Sequence, residues 1–163
     1  MKSLLSSLPL ILPIAQDWAE KQELIVLKEG QPLTESETAD ARRAGVAHPE
    51  KIRVARTESL PRLESAELMF LAKQMGLYGS ETSGLTMGYA ICLQKAVWQD
   101  RYRLVHECVH VSQYEKLKGI GPFLSAYLRE CIDPGYPFGQ MEQEAILVAK
   151  NICKPAAAKK AAT

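Results

Sequence analysis

Charge of one sign is missing from this sequence: 20 Lys and Arg stand against 19 Asp and Glu, a formal net charge of +1. Nucleic-acid-binding domains carry a clustered basic excess, so this balance argues against nucleic acid as a partner. Long apolar runs are missing too. No stretch reaches the roughly 18 residues that suggest a transmembrane helix, and no membrane partner is expected. Cysteine occurs four times, at Cys92, Cys108, Cys131 and Cys153, with no Cys-x-x-Cys pair and no tight cluster. A disulfide scaffold is therefore not indicated, and the thiols read as reduced and mostly buried in a cytoplasmic protein. What is present is 163 residues that are 47% hydrophobic and 24% charged. That is enough for one folded domain with its own core.

Proline and glycine punctuate the chain. The apolar stretch from Leu4 to Ile14 is interrupted by Ser6 and Ser7, which Pro9 and Pro13 follow within it. It lacks the unbroken apolar segment and small-x-small site of a secretory leader, and reads instead as an extended arm entering a first helix. Helical spacing from about Ile14 to Glu29 ends at Gly30. Thr34 with Glu37 forms a capping box for a second helix that runs to Ala44. Alternation from Lys51 to Thr57 predicts a half-buried strand. Residues 64–75 return to helical spacing before Gly76, and Gly79 to Gly84 reads as a loop. Leu85 to Leu93 is the strongest strand, with Tyr89, Ile91 and Leu93 on one side.

Asp100 is placed to cap a long helix through Leu117. Pro122 suits the first turn of the next helix, Asp133-Pro134-Gly135 breaks it, and a last helix spans about Gln140 to Ile152. The fold class is α+β: a mainly helical single domain over residues 1–153, with a sheet of two or three strands before the long helix. Residues 154–163 read as a flexible Lys/Ala-rich tail.

The long helix carries His106-Glu107-Cys108-Val109-His110, an H-E-x-x-H pattern that uses two of the three histidines in the chain. At i and i+4 the two imidazoles project from one helix face and can share one ion. Glu107 lies beside that face, where its carboxylate can act as general base on a water. A solvated helix face with two ordinary histidines is the competing interpretation. The apolar Leu104, Val105, Cys108, Val109 and Val111 around the motif speak against it, because half-buried imidazoles and a carboxylate need a partner that a metal supplies. Cys108 points away from the histidines and reads as packing.

A third protein ligand would leave one coordination position for water. Gln113 and Lys116 stand where the extended metzincin pattern needs glycine and histidine, which excludes that subclass. His48, before Pro49, reads as a surface residue. The last helix offers Glu142 and Glu144, roughly 200° apart around the helix, so one of them faces the metal, and Glu142 is favoured. Zn2+ is the expected cofactor, with His106, His110 and Glu142 as ligands and Glu107 as the catalytic base. Tyr127 or Tyr136 can supply a donor for the developing oxyanion, and both also suit packing.

With Glu142-x-x-Ala145 downstream, the motif resembles the gluzincin type of zinc metallopeptidase, in particular small bacterial members with minimal scaffolds. Over His106 to Ala145, including Gln113-Tyr114-Glu115, Phe123, Tyr127-Leu128 and Gly135-Tyr136, the chain resembles a family of small uncharacterised bacterial proteins of this type. The resemblance implies a zincin-like fold, a peptide or protein substrate, and a strand before the metal helix that pairs with extended substrate. Leu85 to Leu93 would be that strand, with Gly88 permitting close backbone approach. Ile146 stands where larger members place Asp or Asn, so the side chain that would support the histidine ligands is absent there. A non-catalytic, zinc-stabilised binding or regulatory module on the same fold is the alternative.

Overall fold

The computed structural model describes residues 2–80 and 82–154. Helix α1 spans Lys2–Glu29 and α2 spans Glu35–Arg43, with the two-residue strand β1, Gln31–Pro32, between them. Strand β2 (Arg53–Thr57), helix α3 (Ala66–Gln74) and strands β3 (Gly84–Met87) and β4 (Ala90–Gln94) follow. Three helices complete the chain: α4 (Arg101–Leu117), α5 (Ile120–Glu130) and α6 (Gln140–Cys153). The four strands form one mixed sheet in the order β1-β2-β4-β3, with β2 and β4 parallel and the outer pairs antiparallel. This is the expected α+β architecture, with all strands ahead of the helix that bears the motif.

The central strand β4 divides its side chains between two cores. Ile91 and Leu93 join Val54, Val105, Cys108, Val109, Ala145 and Ala149, on the side where α4 and α6 pack. Ala90 and Cys92 face the other way, into a cluster with Ala19 and Val26 of α1. A strand covered on both faces explains a run with no polar alternation. Helix α4 sits deepest, buried at every position from Leu104 to Gln113. Its N-terminus is set by Asp100, which accepts from the Tyr102 and Arg103 amides at 2.9 and 3.3 Å. Asp40 of α2 holds it laterally by a two-pronged bond from Arg101 at 2.7 and 2.9 Å. The Thr34–Glu37 capping box is formed.

Three expectations are corrected. The N-terminal stretch is helix from Lys2 on, not an extended arm, although it contains Pro9 and Pro13. Leu4, Leu8, Ile11, Leu12, Ala15 and Ala19 recur at helical spacing, and Leu8 is wholly buried against Met75, Leu128, Cys131 and Ile132. Both prolines lie on the exposed side of α1. The carbonyls they leave without a helical donor, those of Leu5 and Pro9, belong to exposed residues and can turn to water. Packing of the opposite face outweighs the lost bonds.

Second, Leu85 to Leu93 is not one strand but a hairpin. Gly88 takes φ 63° in its turn and Met87 pairs with Ala90 across it. The close approach at Gly88 is made by Glu23 of α1, whose carboxylate accepts from the Tyr89 amide at 2.8 Å. Third, the sheet has four strands instead of two or three, since β1 is too short to register as a pattern. Gly84, assigned to the preceding loop, begins β3. The tail expected over 154–163 lies outside the described residues apart from Lys154.

Candidate metal centre

Helix α4 presents Arg103, His106 and His110 along one stripe, three and four residues apart and therefore stacked on one side of the helix, with Glu107 at the neighbouring edge, four residues after Arg103 and three before His110. The opposite side carries Val105, Cys108 and Val109 into the core, so Cys108 packs as expected. Burying the stripe in this way leaves two imidazoles and a carboxylate out of bulk water, which is unfavourable without partners.

The partner is Glu142. Helix α6 brings it in from its first turn, where Glu130 caps the helix by accepting from the Met141 amide at 2.8 Å. The Glu142 carboxylate straddles both rings: Oε2 is 3.3 Å from His106 Nε2 and Oε1 is 3.3 Å from His110 Nε2. The two Nε2 atoms are 3.2 Å apart. All three side chains are buried. Donors held about 2.0–2.1 Å from a tetrahedral zinc stand about 3.3–3.4 Å from one another. The two nitrogens stand at about that spacing, and each faces a different oxygen of the same carboxylate, so one ligand atom from each of the three residues lies within 4.8 Å of the others and the group could hold a metal ion. Among the described residues this is the one group of three or more His, Cys, Asp or Glu whose ligand atoms converge in this way.

Electrostatics bind the cluster together in the absence of an ion. Burial alone would depress the His110 imidazole, but its hydrogen bond to Glu142 and that residue's charge outweigh it and lift it to about 9. Burial would likewise raise the Glu142 carboxyl, yet the bonds from His106 and His110 hold it well below the usual carboxylate range. The carboxylate and the imidazoles thus favour opposite charges on one another. A proton on imidazole supplies the positive one when no metal does.

The surrounding side chains orient the three. Gln113 Oε1 faces His110 Nδ1 at 2.8 Å, while its Nε2 donates to the Met141 carbonyl at 2.9 Å and to Glu144 Oε2 at 2.8 Å. Those two acceptors fix the amide with its oxygen towards the ring, so Nδ1 carries the proton and Nε2 keeps a lone pair for an ion. Glu144 therefore orients Gln113 and does not join the cluster. The Tyr127 hydroxyl donates to Glu142 Oε1 at 2.5 Å. Phe123 stacks on Tyr127 with ring centroids 5.7 Å apart, and Tyr127 meets the His110 ring edge-on at 5.6 Å. His106 Nδ1 is buried without a partner among the described residues.

Glu107 points to the same cleft from the neighbouring edge of α4. Its Oε2 accepts from Thr86 Oγ1 at 2.6 Å, and the same hydroxyl contacts the Glu107 carbonyl oxygen at 3.2 Å. Gly84 makes this position available, since any side chain there would collide with the carboxylate. Both residues lie on β3, the edge strand of the sheet. Of the hairpin, then, β3 alone has an edge open to pairing with an extended chain. β4 is paired on both sides.

The cleft holds a cavity of about 140 Å3, lined by the motif and by apolar side chains including Trp18, Leu60, Leu68, Met75, Leu124 and Leu128. Tyr136 also lines it, its hydroxyl pushed up to about 12 by burial first and by Glu142 and Glu107 after. His48 lies apart, its side chain about half exposed beside Glu50 at 3.3 Å. Sequence reasoning thus reached His106, Glu107, His110 and Glu142, which the fold brings together. It missed the roles of Gln113, Thr86 and Gly84. For Gln113 a signal existed, its i+3 spacing from His110; for Thr86 and Gly84 none did, because their contact to Glu107 crosses from strand to helix. Comparison with protein-family models, curated proteins and solved structures finds no match for this chain.

Proposed function

We propose that the protein is a zinc-dependent metallopeptidase of the gluzincin type, with a peptide or protein as substrate. The observation that carries this reading is the convergence of His106 Nε2, His110 Nε2 and the Glu142 carboxylate within 4.8 Å of one another beside an oriented, buried Glu107. Zinc held there supplies a Lewis acid and lowers the pKa of a water towards about 7.

The residues divide the remaining work. Thr86 occupies Glu107 Oε2, leaving Oε1 to take the proton of the attacking water and pass it to the leaving amine. Tyr127 holds Glu142 Oε1 and Gln113 holds His110, so the ligand atoms need little reorganisation. Tyr136 lines the cleft with its proton firmly held, which suits a hydrogen-bond donor to developing negative charge. The edge strand β3 can align an extended chain across the site by backbone pairing.

A non-catalytic, zinc-stabilised binding module is the second reading, favoured by one observation: His106 Nδ1 lacks the orienting partner that metal-bound histidines usually have. Metal analysis of the purified chain is expected to find about one zinc per molecule, lost in His106→Ala. Glu107→Gln should keep the zinc and abolish cleavage of a peptide library. Zinc without cleavage in the wild type would select the second reading. Metal content indifferent to His106→Ala would end both.

A further inference from the structure

We propose that Arg103 makes this cleft selective for substrates that carry a free carboxylate close to an apolar side chain. The inference rests on the reading of His106, His110 and Glu142 as a metal centre and adds to it the class of substrate.

Arg103 is three residues before His106 and four before Glu107, on the same stripe of α4 and half-buried. It lines the cavity that the motif lines, and it is the one Lys or Arg that does so. Arg101 is engaged with Asp40, Arg56 with Glu37 and Arg53 with backbone carbonyls, and none of the other arginines lines this cavity. Among the described residues no hydrogen bond or ion pair involves the Arg103 guanidinium. Helical side chains lean towards the N-terminus of their helix, so its head lies on the side of the imidazoles away from His110.

Charge counting gives the argument its direction. With a divalent ion on the histidines, Glu107 and Glu142 balance it, and among the described residues that line the cleft Arg103 remains as the charge without a counterpart. A planar fork of donors in a largely apolar, partly desolvated cavity fits a carboxylate in two-pronged geometry. Three residues of helix, a rise of about 4.5 Å, separate it from His106, a span that one or two extended residues cover. The carboxylate therefore sits within one or two residues of the carbonyl presented to the ion. The rest of the lining is mainly apolar, which assigns an apolar side chain to the same stretch of substrate. Two sources carry this chemistry: the α-carboxylate of a chain end, which makes the reaction a trimming of C-terminal residues, and an Asp or Glu side chain, which places cleavage inside a chain.

Binding to the zinc-loaded full chain tests this without turnover. The probes are succinyl hydroxamates carrying leucine as free acid, leucinamide, leucyl-glutamate amide and leucyl-glutamine amide, titrated calorimetrically. A charged probe is expected to bind at least about tenfold more tightly than its neutral counterpart, the worth of one charge-assisted hydrogen bond. Arg103→Gln should bring the charged probe down to the neutral one, and Arg103→Lys should restore part of the difference. The free acid leading identifies a chain end, and the glutamate probe leading identifies an acidic side chain. Equal binding of charged and neutral probes by the wild type overturns the inference, as does a preference that survives Arg103→Gln or a loss shared by all probes. If the leucinamide hydroxamate still binds only in the presence of zinc, the metal centre stands while this inference falls. A chain that takes up no zinc and binds no probe removes both.

Discussion

Gly84 has no side chain at the place where Glu107 folds its carboxylate, and even a methyl group there would overlap Oε1. The backbone of Gly84 is not in the left-handed region, so alanine meets no conformational obstacle other than that carboxylate. Gly84→Ala is therefore expected to turn Glu107 away from Thr86 and to lower kcat by about 100-fold or more, the usual worth of a positioned general base. Zinc content should remain at the wild-type level. Activity assays paired with metal analysis check this, and retained kcat would disconnect Gly84 from the proton-transfer step.

Gln113 should matter to affinity where Gly84 matters to rate. Removing its amide in Gln113→Leu frees the His110 ring to rotate and leaves Nδ1 without an acceptor. Zinc affinity, measured by competition against a chromogenic chelator, is expected to drop about 10- to 100-fold. Glu144 becomes the informative control: Glu144→Gln keeps an acceptor for Gln113 Nε2 and should cost far less.

Acidity separates the metal-free and metal-loaded forms. The His110 imidazole, ordinarily near 6.5, is lifted to about 9 in the folded, metal-free chain. A raised value means that the pair with Glu142 stabilises the fold fully below about pH 6.5 and that this contribution fades as pH climbs through about 9. Chelator-treated protein should accordingly lose melting temperature between pH 6.5 and 9.5. With zinc bound, no proton is required to balance Glu142, and the melting temperature should vary much less over that window. Parallel melts with and without zinc are the measurement; identical profiles would show that the ion does not replace that proton.

Leu8 tests the helical N-terminus. Its side chain is wholly buried against Met75, Leu128, Cys131 and Ile132. Leu8→Ala is expected to destabilise the chain by about 2–5 kcal/mol in urea unfolding, a cost that an extended, solvated arm would not show.

Much of this molecule was legible in its residues. The Thr34–Glu37 box, the Asp100 cap, Gly76, the Asp133-Pro134-Gly135 break and the 3.6-residue spacing of α4 and α6 are local signals, and each sits where its local chemistry places it. For His106 and His110 the H-E-x-x-H spacing sufficed, because one turn aligns two histidines; rotation of about 200° between Glu142 and Glu144 showed only that one of them faces the site, and the choice of Glu142 leaned on its Glu-x-x-Ala spacing. What escaped were effects decided by packing. The prolines of α1 argue against helix until Leu8 and Ile11 are seen to be buried on the other side. The turn at Gly88 hid inside a run that is apolar on both sides because β4 is covered on both faces. Thr86 and Gly84 contact Glu107 across about twenty residues of chain, beyond the reach of any periodicity.

Helix α4 is enclosed on every side from Leu104 to Gln113. The face that packs the core and the face that carries the imidazoles therefore belong to one enclosed rod, and drift at Val105 or Val109 would tilt it and move the imidazoles with it. Such a segment has few neutral positions. Changes that in other proteins count as harmless adjustments of the interior would here be felt as altered chemistry.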